Sequence, residues 1–318
     1  MSTRPSPLST GGSETPDDEK ALKWGTEQRM AFIEFRLYWE GHVNRTNLTE
    51  MFGISEPQAT ADFSKYQELA PGNIQYDPTV RAYVPTPQFT PKYSPARANE
   101  YLAHLRLIDD QIEPETPNWI GKLPNWELAP ILRRRLQPDT LREVVDASIH
   151  KRVVSIKYRS FTNPEPHWRK ISPHAIVFDG RRWHVRAWCH KDNDFRDFVF
   201  ARIDETKKEH PSSVDPAFDL FWQEYVELEL CPNPFLTPEQ QEILKIEYQM
   251  KGGCLRFKTR ASMYFYMREY FFLNIKPTKS NAMSVHLCLR NEEQVDTALS
   301  ALKTKSREAL KGCNFHTE

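Results

Sequence analysis

The stretch Leu48-Thr49-Glu50-Met51-Phe52-Gly53-Ile54-Ser55-Glu56-Pro57-Gln58 predicts the end of one helix, a tight turn and the start of a second helix. Gly53 tolerates the positive φ that such a turn requires. Ser55 can accept a hydrogen bond from the backbone N–H of Gln58 while the Gln58 side chain reaches back, which is the pattern of a capping box. Pro57 fits the first helical turn, because the N–H groups there have no helical partner. The stretch therefore predicts a helix-turn-helix.

The flanking residues extend this unit on both sides. Apolar residues recur at helical spacing over residues 26–40, and a shorter helix covers residues 46–52. Downstream, two strand-like runs at residues 73–76 and 81–84 are joined by turn-forming residues and predict a hairpin. Three helices followed by a hairpin is the order of a winged helix-turn-helix domain. The expected inward residues are Met30, Phe32, Ile33, Phe35, Leu37 and Trp39 in the first helix and Ala59, Phe63, Tyr66 and Leu69 in the third.

In such a domain the helix after the turn enters the major groove, so its outward side chains are candidate DNA contacts. These candidates, with one arginine of the hairpin, are Ser55, Gln58, Thr60, Ala61, Lys65 and Arg81. The same arrangement also occurs in protein-binding modules, which is the alternative interpretation. Residues 20–95 carry 8 basic and 8 acidic side chains, so one domain lacks the positive charge for tight binding. We therefore expect two copies to bind together.

The composition of the 318 residues bounds the class of protein. Apolar residues at 39% and charged residues at 27% are ordinary for folded domains, and the length predicts two or three of them. The 24 prolines against 11 glycines favour stiff connectors over glycine-rich phosphate loops. No apolar run approaches the ~20 residues of a membrane helix. Residues 1–20, which we expect to form a disordered tail, contain no apolar segment typical of a secretory signal. Five cysteines without a C-x-x-C pair predict reduced thiols in the cytoplasm.

Charge is distributed unevenly, although the whole chain has 43 basic and 43 acidic residues. Residues 131–208 carry 18 Lys and Arg against 10 Asp and Glu, and five of the ten histidines. Residues 1–95, 96–130 and 209–318 each carry a small acidic excess. A local positive field attracts anions whatever the net charge of the chain. The sequence therefore predicts a basic module, with a solvated basic surface matched to acidic neighbours as the alternative.

The spacing of apolar residues changes from helical to strand-like at the start of this module. Residues 85–95 are rich in proline and typical of a semi-rigid connector, and helices are expected at 97–110, 129–135 and 139–150. From Arg152 onward the apolar period becomes two. Strands with turn residues between them are expected at 154–160, 168–178, 181–190 and 197–203, which predicts a small antiparallel sheet or barrel.

The third of these strands separates by face. The residues expected to point into the core are Trp183, Val185 and Ala187. The opposite face would then present a concentration of hydrogen-bond donors from Arg182, His184 and Arg186. We interpret this second face as a binding surface.

Four motifs in this module resemble the WYL domain: Tyr158-x-Ser160, Arg169-Lys170-Ile171-Ser172-Pro173-His174, Arg182-Trp183-His184-Val185 and Phe200-Ala201-Arg202-Ile203. In that family an SH3/Sm-like β-barrel follows a winged helix-turn-helix in bacterial transcription regulators and precedes an αβ extension used for dimerisation. The chain is most similar to the BrxR/CapW group of repressors associated with phage-defence loci. It departs from the Trp-Tyr-Leu tripeptide that names the family at His184 and Val185.

This resemblance implies a multidomain α+β protein. A winged helix-turn-helix at residues 21–95 would be followed by a Pro-rich linker with helices at 96–150. A WYL barrel that senses a ligand would occupy residues 151–208, and a C-terminal αβ dimerisation domain residues 209–318.

The resemblance also implies that the barrel binds a nucleotide or a nucleic-acid fragment. Carried over by motif, the ligand-binding candidates are Tyr158, Ser160, His174, His184, Arg186 and Arg202. Arginine suits phosphate, serine and tyrosine donate hydroxyls, and tyrosine and histidine offer stacking faces. In the alternative interpretation Arg202 pairs with Asp204 or Asp197, and His174 is a structural histidine.

The last third of the chain resembles the family's C-terminal extension. Its elements are expected as a helix at 216–227, strands at 243–250 and 254–259, a helix at 261–272, a strand at 284–290 and a helix at 292–305. The aromatic-rich cluster expected in a core or a subunit interface consists of Met263, Phe265, Tyr266, Tyr270 and Phe271.

No motif of a common enzyme class occurs, since G-x-G-x-x-G, G-K-[ST] and H-E-x-x-H are all absent. Asp192-x-Asp194-x-x-Asp197 has a spacing that could hold Mg²⁺, but it falls in a predicted hairpin turn, where Asp and Asn are expected for backbone reasons. We expect no catalysis, cofactor or metal.

The function expected from the sequence is that of a cytoplasmic, homodimeric transcriptional repressor. It would bind an inverted repeat in double-stranded DNA, control a phage-defence locus, and be released by a nucleotide or oligonucleotide effector without contacting a membrane. The alternative is an RNA- or single-strand-binding effector that uses the basic barrel as its main nucleic-acid surface.

Overall fold

The structure is a computed structural model that describes residues 16–129, 135–311 and 315, with side chains from residue 24 onward. The chain forms two compact units, residues 1–132 and 133–318. Most of the expected tail lies outside the described residues. So does most of the helix expected at 129–135, and its two described end residues, Ala129 and Arg135, are not helical.

The N-terminal unit has the element order of a winged helix-turn-helix, as predicted. Its elements are α1 (Pro16–Glu40), α2 (Arg45–Phe52), α3 (Glu56–Leu69), β1 (Ile74–Asp77), β2 (Ala82–Pro85) and α4 (Ala98–Asp109). β1 and β2 pair antiparallel, and Val43 adds a bridge to Tyr83. The helices enclose a core in which Phe63 and Tyr66 are fully buried, whereas Leu69, expected on the inward face, is exposed. Leu69 is the last residue of α3, and at this end of the helix Tyr66 and Ala70 are the buried residues instead.

Caps define the ends of the two helices that flank the turn. Gly53 ends α2 with φ of 63°, and the Ser55 hydroxyl accepts from the Gln58 backbone N–H at 3.4 Å. The second half of the expected capping box is absent, because the Gln58 side chain donates to Asp62 instead. The reciprocal box occurs at the start of α2, between Asn44 and Asn47. The chemistry of the turn was predicted correctly, but not the partner of Gln58.

A buried carboxylate ties the Pro-rich connector to this unit. Glu34 of α1 is fully buried and accepts hydrogen bonds from the backbone N–H groups of Lys92, Tyr93 and Ser94 and from the Tyr66 hydroxyl. A buried carboxylate is tolerated only when its oxygens are satisfied in this way. The connector is therefore held by specific bonds as well as by the stiffness of proline.

The C-terminal unit begins with α5 (Pro138–Ile149) and a five-stranded antiparallel sheet. The strands are β3 (Arg152–Tyr158), β4 (His167–Phe178), β5 (Trp183–Cys189), β6 (Asp194–Val199) and β7 (Ile203–Pro211), in the order β6-β5-β4-β3-β7. The fourth predicted strand is thus divided by a 3₁₀ turn at Phe200–Arg202. Among the described residues β6 and β7 do not pair with each other, so the expected barrel is not closed.

A second, three-stranded sheet follows, and two predictions about it are wrong. The elements are α6 (Leu220–Gln223), β8 (Tyr225–Pro232), α7 (Pro238–Glu247), β9 (Leu255–Arg260), α8 (Tyr264–Tyr270), β10 (Leu287–Leu289) and α9 (Glu292–Lys311), with the strand order β10-β8-β9. The helix expected at 216–227 is a 3₁₀ turn, the short α6 and the start of β8. The strand expected at 243–250 lies largely in α7, because Thr237 and Gln240 form a capping box and Pro238 starts the helix.

The thiols lie mainly in this second sheet. Cys189, Cys231, Cys254 and Cys288 are all free, and the Cys231 Sγ lies 2.7 Å from the Cys254 Sγ. Burial, together with its two cysteine neighbours, raises the pKa of Cys231 to about 12. The thiol is therefore protonated at neutral pH and a poor nucleophile. In the part of the chain that the structure describes, no helix is long and apolar enough to cross a membrane.

Candidate DNA-binding and ligand-binding surfaces

The structure places the six candidate DNA contacts at the surface of the N-terminal unit. Ser55, Gln58, Thr60, Ala61 and Lys65 are exposed at the start and along the outward side of α3. Arg81 is exposed in the turn between β1 and β2, where its φ of 52° is unusual for a residue with a side chain. Gln58, Ala61 and Lys65 share one side of α3 because they are three and four residues apart, whereas Thr60 lies on the other margin of the exposed surface. Ser55 is the N-cap residue before the helix, and Arg81 lies on the hairpin.

A buried ion pair beneath α3 holds one of these candidates in place. Asp62 is 1% exposed and accepts from Arg29 of α1 at 2.6 Å between Arg29 Nε and Asp62 Oδ2. The Gln58 Nε2 donates to Asp62 Oδ1 at 3.1 Å. One Gln58 N–H is thus engaged, while the second N–H and the carbonyl oxygen are available. Sequence reasoning missed Asp62 and Arg29, although a carboxylate beside Phe63 on an apolar helix face is a recognisable sign of a buried partner.

The faces of β5 differ from the prediction. Val185 and Ala187 are in the core as expected, but Trp183 is half-exposed at the start of the strand. His184 is 3% exposed and Arg186 is 7% exposed, so the expected donor face is not a free surface. The reason is tertiary: this face of the sheet is covered by residues from much later in the chain, among them Asp219, which bonds to Arg186, and Tyr266, which packs on His184.

Arg186 is the centre of a buried polar network. Its Nε and Nη2 donate to Asp219 at 2.7 and 2.8 Å, and its Nη1 donates to Asp197 at 3.2 Å. His174 Nε2 lies 2.9 Å from the same Asp219, and the Tyr266 hydroxyl donates to Asp197 at 3.0 Å. All five of these side chains therefore have partners within the protein.

The network also shifts the pKa values of its side chains. Burial alone would raise the pKa of Asp219, but the hydrogen bonds from His174 and Arg186 lower it. Burial alone would lower the pKa of Arg186, but the two carboxylates raise it. The pKa of Tyr266 is raised by burial and by Asp197. Arg186 and Asp219 are consequently charged over the whole physiological range, and Tyr266 is neutral.

His184 has its own carboxylate. Its Nε2 lies 2.8 Å from Asp179 Oδ2, and Asp179 also accepts from the side chain of Arg182 and the backbone N–H of Arg181. Although burial by itself would raise the pKa of Asp179, these bonds lower it to about 2. The ring of His184 also packs 4.9 Å from that of Tyr266. His184, which stands at the family's tyrosine position, thus has both a hydrogen-bond partner and an aromatic neighbour within the protein.

The remaining ligand-binding candidates lie where β3 ends and β7 begins. Tyr158 is buried, and its hydroxyl accepts from the Val199 backbone N–H at 3.2 Å. The Ser160 hydroxyl bonds within its own loop. The guanidinium of Arg202 stacks over the ring of Phe161 at 4.3 Å, and that ring is 87% exposed. Phe161, which the sequence reasoning missed, makes this a cation–aromatic pair open to solvent.

Of the two alternative interpretations made from the sequence, the one for Arg202 is wrong and the one for His174 agrees with the structure. Asp204 pairs with Arg159 at 2.7 Å and Asp197 with Arg186, so neither holds Arg202. His174, by contrast, has the buried partner expected of a structural histidine. The six candidates therefore form two groups. His174, His184 and Arg186 pair with the carboxylates of Asp179, Asp197 and Asp219, whereas the sheet-end candidates Tyr158, Ser160 and Arg202, which lie where β3 ends and β7 begins, form no ion pair with a described carboxylate.

The acidic turn after β5 is occupied by internal partners. Asp192 accepts from Arg169 at 3.0 Å and from the Cys189 thiol at 3.2 Å, and pairs with Arg196 at 3.2 Å. Across the described ranges, no group of three or more His, Cys, Asp or Glu is placed to hold a metal ion. Nearby, burial together with His210 and Lys170 lowers the pKa of His190 to about 4.

Three protein-family models match the chain. "BrxR transcriptional regulator winged helix-turn-helix domain" matches residues 25–107, and "WYL domain" matches residues 139–208. "BrxR transcriptional regulator, C-terminal dimerization domain" matches residues 225–295. The fold and these matches define the class as that of WYL-domain regulators with an N-terminal winged helix-turn-helix.

Whole-chain relatives narrow this class. "DNA-binding transcriptional repressor CapW" of Escherichia coli (strain KTE188) is 34% identical over 87% of this chain and 92% of its own length. The CapW proteins of Pseudomonas aeruginosa (34% identical; 90% of this chain, 96% of theirs) and Stenotrophomonas maltophilia (36%; 86% and 92%) are similarly related. The chain belongs to the CapW family of transcriptional repressors, which confirms the resemblance inferred from its motifs.

Among solved structures, "Proteasome accessory factor B/C (PafBC) of Arthrobacter aurescens" aligns with 90% of this chain at 14% identity and a TM-score of 0.23. The chain spans 48% of the length of that protein. A TM-score of this size is too low to support an inference about fold.

Proposed function

We propose that this chain is a homodimeric repressor that binds an inverted-repeat operator through two winged helix-turn-helix domains. A nucleotide or nucleic-acid ligand bound by the WYL module would release it, and the operator would control a phage-defence locus. The observation that carries the proposal is the relationship to CapW over 87% of the chain, since those relatives are named DNA-binding transcriptional repressors.

The outward side of α3 supports the DNA-binding part. Thr60, Ala61 and Lys65 leave a small, polar and cationic face exposed, while the inward side of the helix is packed. Gln58 is steadied by Asp62 yet keeps one donor and one acceptor, which suits the edge of an adenine. Side chains held in one orientation lose less entropy on binding than mobile ones. Arg81 on the hairpin would meet a phosphate.

The matched dimerisation domain supports pairing of two chains. Within residues 225–295, α7 exposes two isoleucines, Ile243 at 63% and Ile246 at 71%. Met283 is also exposed and lies beside this helix, because Gln240 Nε2 contacts its sulfur at 3.6 Å. An exposed apolar patch of this kind is typical of a protein interface. We propose this face of α7 as part of the contact between two copies.

The test is an electrophoretic shift assay with duplex DNA from upstream of the protein's own reading frame. The intact inverted repeat should bind far more tightly than a single half-site, because two neutral domains must bind together. Lys65→Ala should weaken binding about uniformly across sequences and reduce its salt dependence. Lys122→Ala, which removes another exposed lysine of the same unit, is the matched control.

Equal affinity for unrelated single strands would contradict the proposal and favour the barrel as the nucleic-acid surface. Equal loss in Lys65→Ala and Lys122→Ala would contradict the role of α3, because only general charge would then matter.

A further inference from the structure

A large cleft lies in the C-terminal unit between the β5–β6 turn and α9. Its volume is 1030 Å³, at the upper end of the range for sites that bind small molecules. Asn193 and Asp194 of the turn line one side, and α9 lines the other. The floor includes the Arg186–Asp219 pair, whose charges are already matched. None of the sheet-end candidates lines this cleft.

The wall formed by α9 is cationic. Lys303, Arg307 and Lys311 lie four residues apart and therefore on one face of the helix, and all three line the cleft. They are exposed, and none of them forms an ion pair with a carboxylate of residues 24–129 or 135–311. Two acidic residues of the lining, Asp194 and Asp296, are also without an ion pair in these ranges. The three cations outnumber these two carboxylates and lie together on one face of α9, so that this wall of the cavity attracts an anion with several charges.

The cleft also contains aromatic and hydroxyl groups. Phe265 lines it and is 63% exposed, so its ring is open for stacking. Tyr264 and Ser262 lie in the same wall, and their hydroxyl oxygens are buried without a hydrogen-bond partner in the described chain. Tyr264 is 5% exposed. Buried polar groups without partners are rare in folded proteins, and a bound water, ion or ligand is one way in which such a group is satisfied.

We propose that this cleft binds a nucleotide or short oligonucleotide, with phosphates on Lys303, Arg307 and Lys311 and a base on Phe265. The volume suits a dinucleotide better than a single phosphate ion. The inference rests on the proposed function, because it gives the effector a site. It places the binding groups on α9 and Phe265; of the six residues implied by the family's motifs only Arg186 is among the described residues that line the cleft, and Asp219 already matches its charge. Because α9 packs against β8 of the dimerisation domain, a ligand there contacts both the WYL sheet and the pairing domain.

The experiment is isothermal titration of the full-length protein with the phosphorylated dinucleotide pApA. ApA, which lacks the terminal phosphate, is the matched probe and should bind more weakly. Lys303→Glu and Arg307→Glu should each weaken pApA binding by about 10-fold or more, since each removes a charge-assisted contact. Lys305→Glu makes the same charge change on the same helix but outside the lining, so its affinity should stay within about twofold of wild type. Phe265→Ala should weaken binding about fivefold or more.

Three results would overturn the inference. The first is no binding of pApA by the wild-type chain. The second is an equal loss in Lys303→Glu and Lys305→Glu, which would indicate unspecific attraction. The third is loss of binding in Arg202→Ala with normal binding in the α9 variants, which would move the site to the sheet end. Operator binding by the ligand-free variants is measured in parallel, so that failure of this site is distinguished from failure of the proposed repressor. Arg307→Gln replaces Arg307→Glu if thermal unfolding shows that the latter is unfolded.

Discussion

Replacing Arg186 by leucine should destabilise the C-terminal unit strongly. The side chain is 7% exposed and donates three hydrogen bonds to Asp219 and Asp197, at 2.7 to 3.2 Å. Leucine matches the apolar part of the side chain but leaves both carboxylates without their cation. The motif resemblance implied that Arg186 binds a ligand. The prediction tests whether it is instead a structural residue.

The magnitude follows from the burial of the pair. Breaking a buried ion pair by removing one partner costs about 3–5 kcal/mol, because the remaining charge stays buried and uncompensated. Asp219 keeps His174 at 2.9 Å, and Asp197 keeps Tyr266 at 3.0 Å, so the lower half of this range is expected. Arg196→Leu provides the control, since its pair with Asp192 is half-exposed and should be worth about 0.2–1 kcal/mol.

The assay is urea unfolding of the full-length protein, followed by tryptophan fluorescence and far-ultraviolet circular dichroism. Adding Asp219→Asn to Arg186→Leu should cost less than the sum of the two single changes, because the unpaired charge is then removed. A free energy of unfolding for Arg186→Leu within about 1 kcal/mol of wild type would refute the reasoning. The arginine would then be free to leave its partners and meet a ligand.

Three further predictions concern other surfaces of the protein. Gln58→Ala should cost about 1–3 kcal/mol on operator DNA and relax base preference in a shift assay, and unchanged affinity and preference would exclude base reading by α3. Ile243→Glu with Ile246→Glu should shift the protein from dimer to monomer in light scattering and weaken operator binding, whereas Ile149→Glu, at an equally exposed site outside the dimerisation domain, should do neither. Because the folded pKa of His190 is about 4 against an ordinary 6.5, the neutral form is favoured in the fold. Its contribution to stability is therefore present above pH 6.5 and lost as the pH falls towards 4. His190→Gln should make the melting temperature depend less on pH between about pH 7 and 4.5. An unchanged dependence on pH would exclude this residue as its cause.

Local features of the sequence predicted much of the fold. Gly53 with its φ of 63° and the Ser55 cap are properties of a few neighbouring residues, and such signals depend little on the rest of the chain. The period of two in β3, β4 and β5 was equally visible, because a strand with one apolar face alternates whatever covers the other. At residues 243–250 the apolar residues predicted a strand, whereas the cap at Thr237 determines a helix. Here the capping box and the proline that start the helix outweighed an apolar pattern of only a few residues.

The sequence by itself determined the modules, their order and the exposed side of α3, since each depends on short-range patterns and on motifs shared with the CapW family. Only the tertiary structure decided which polar side chains are available for binding. By sequence, His184, Arg186 and Arg202 are equivalent candidates for ligand binding. In the structure, His184 is paired with Asp179 and Arg186 with Asp219, whereas Arg202 lies over an exposed phenylalanine. Long-range contacts decide this difference, because a charged side chain becomes part of the core only where the fold brings an opposite charge to it.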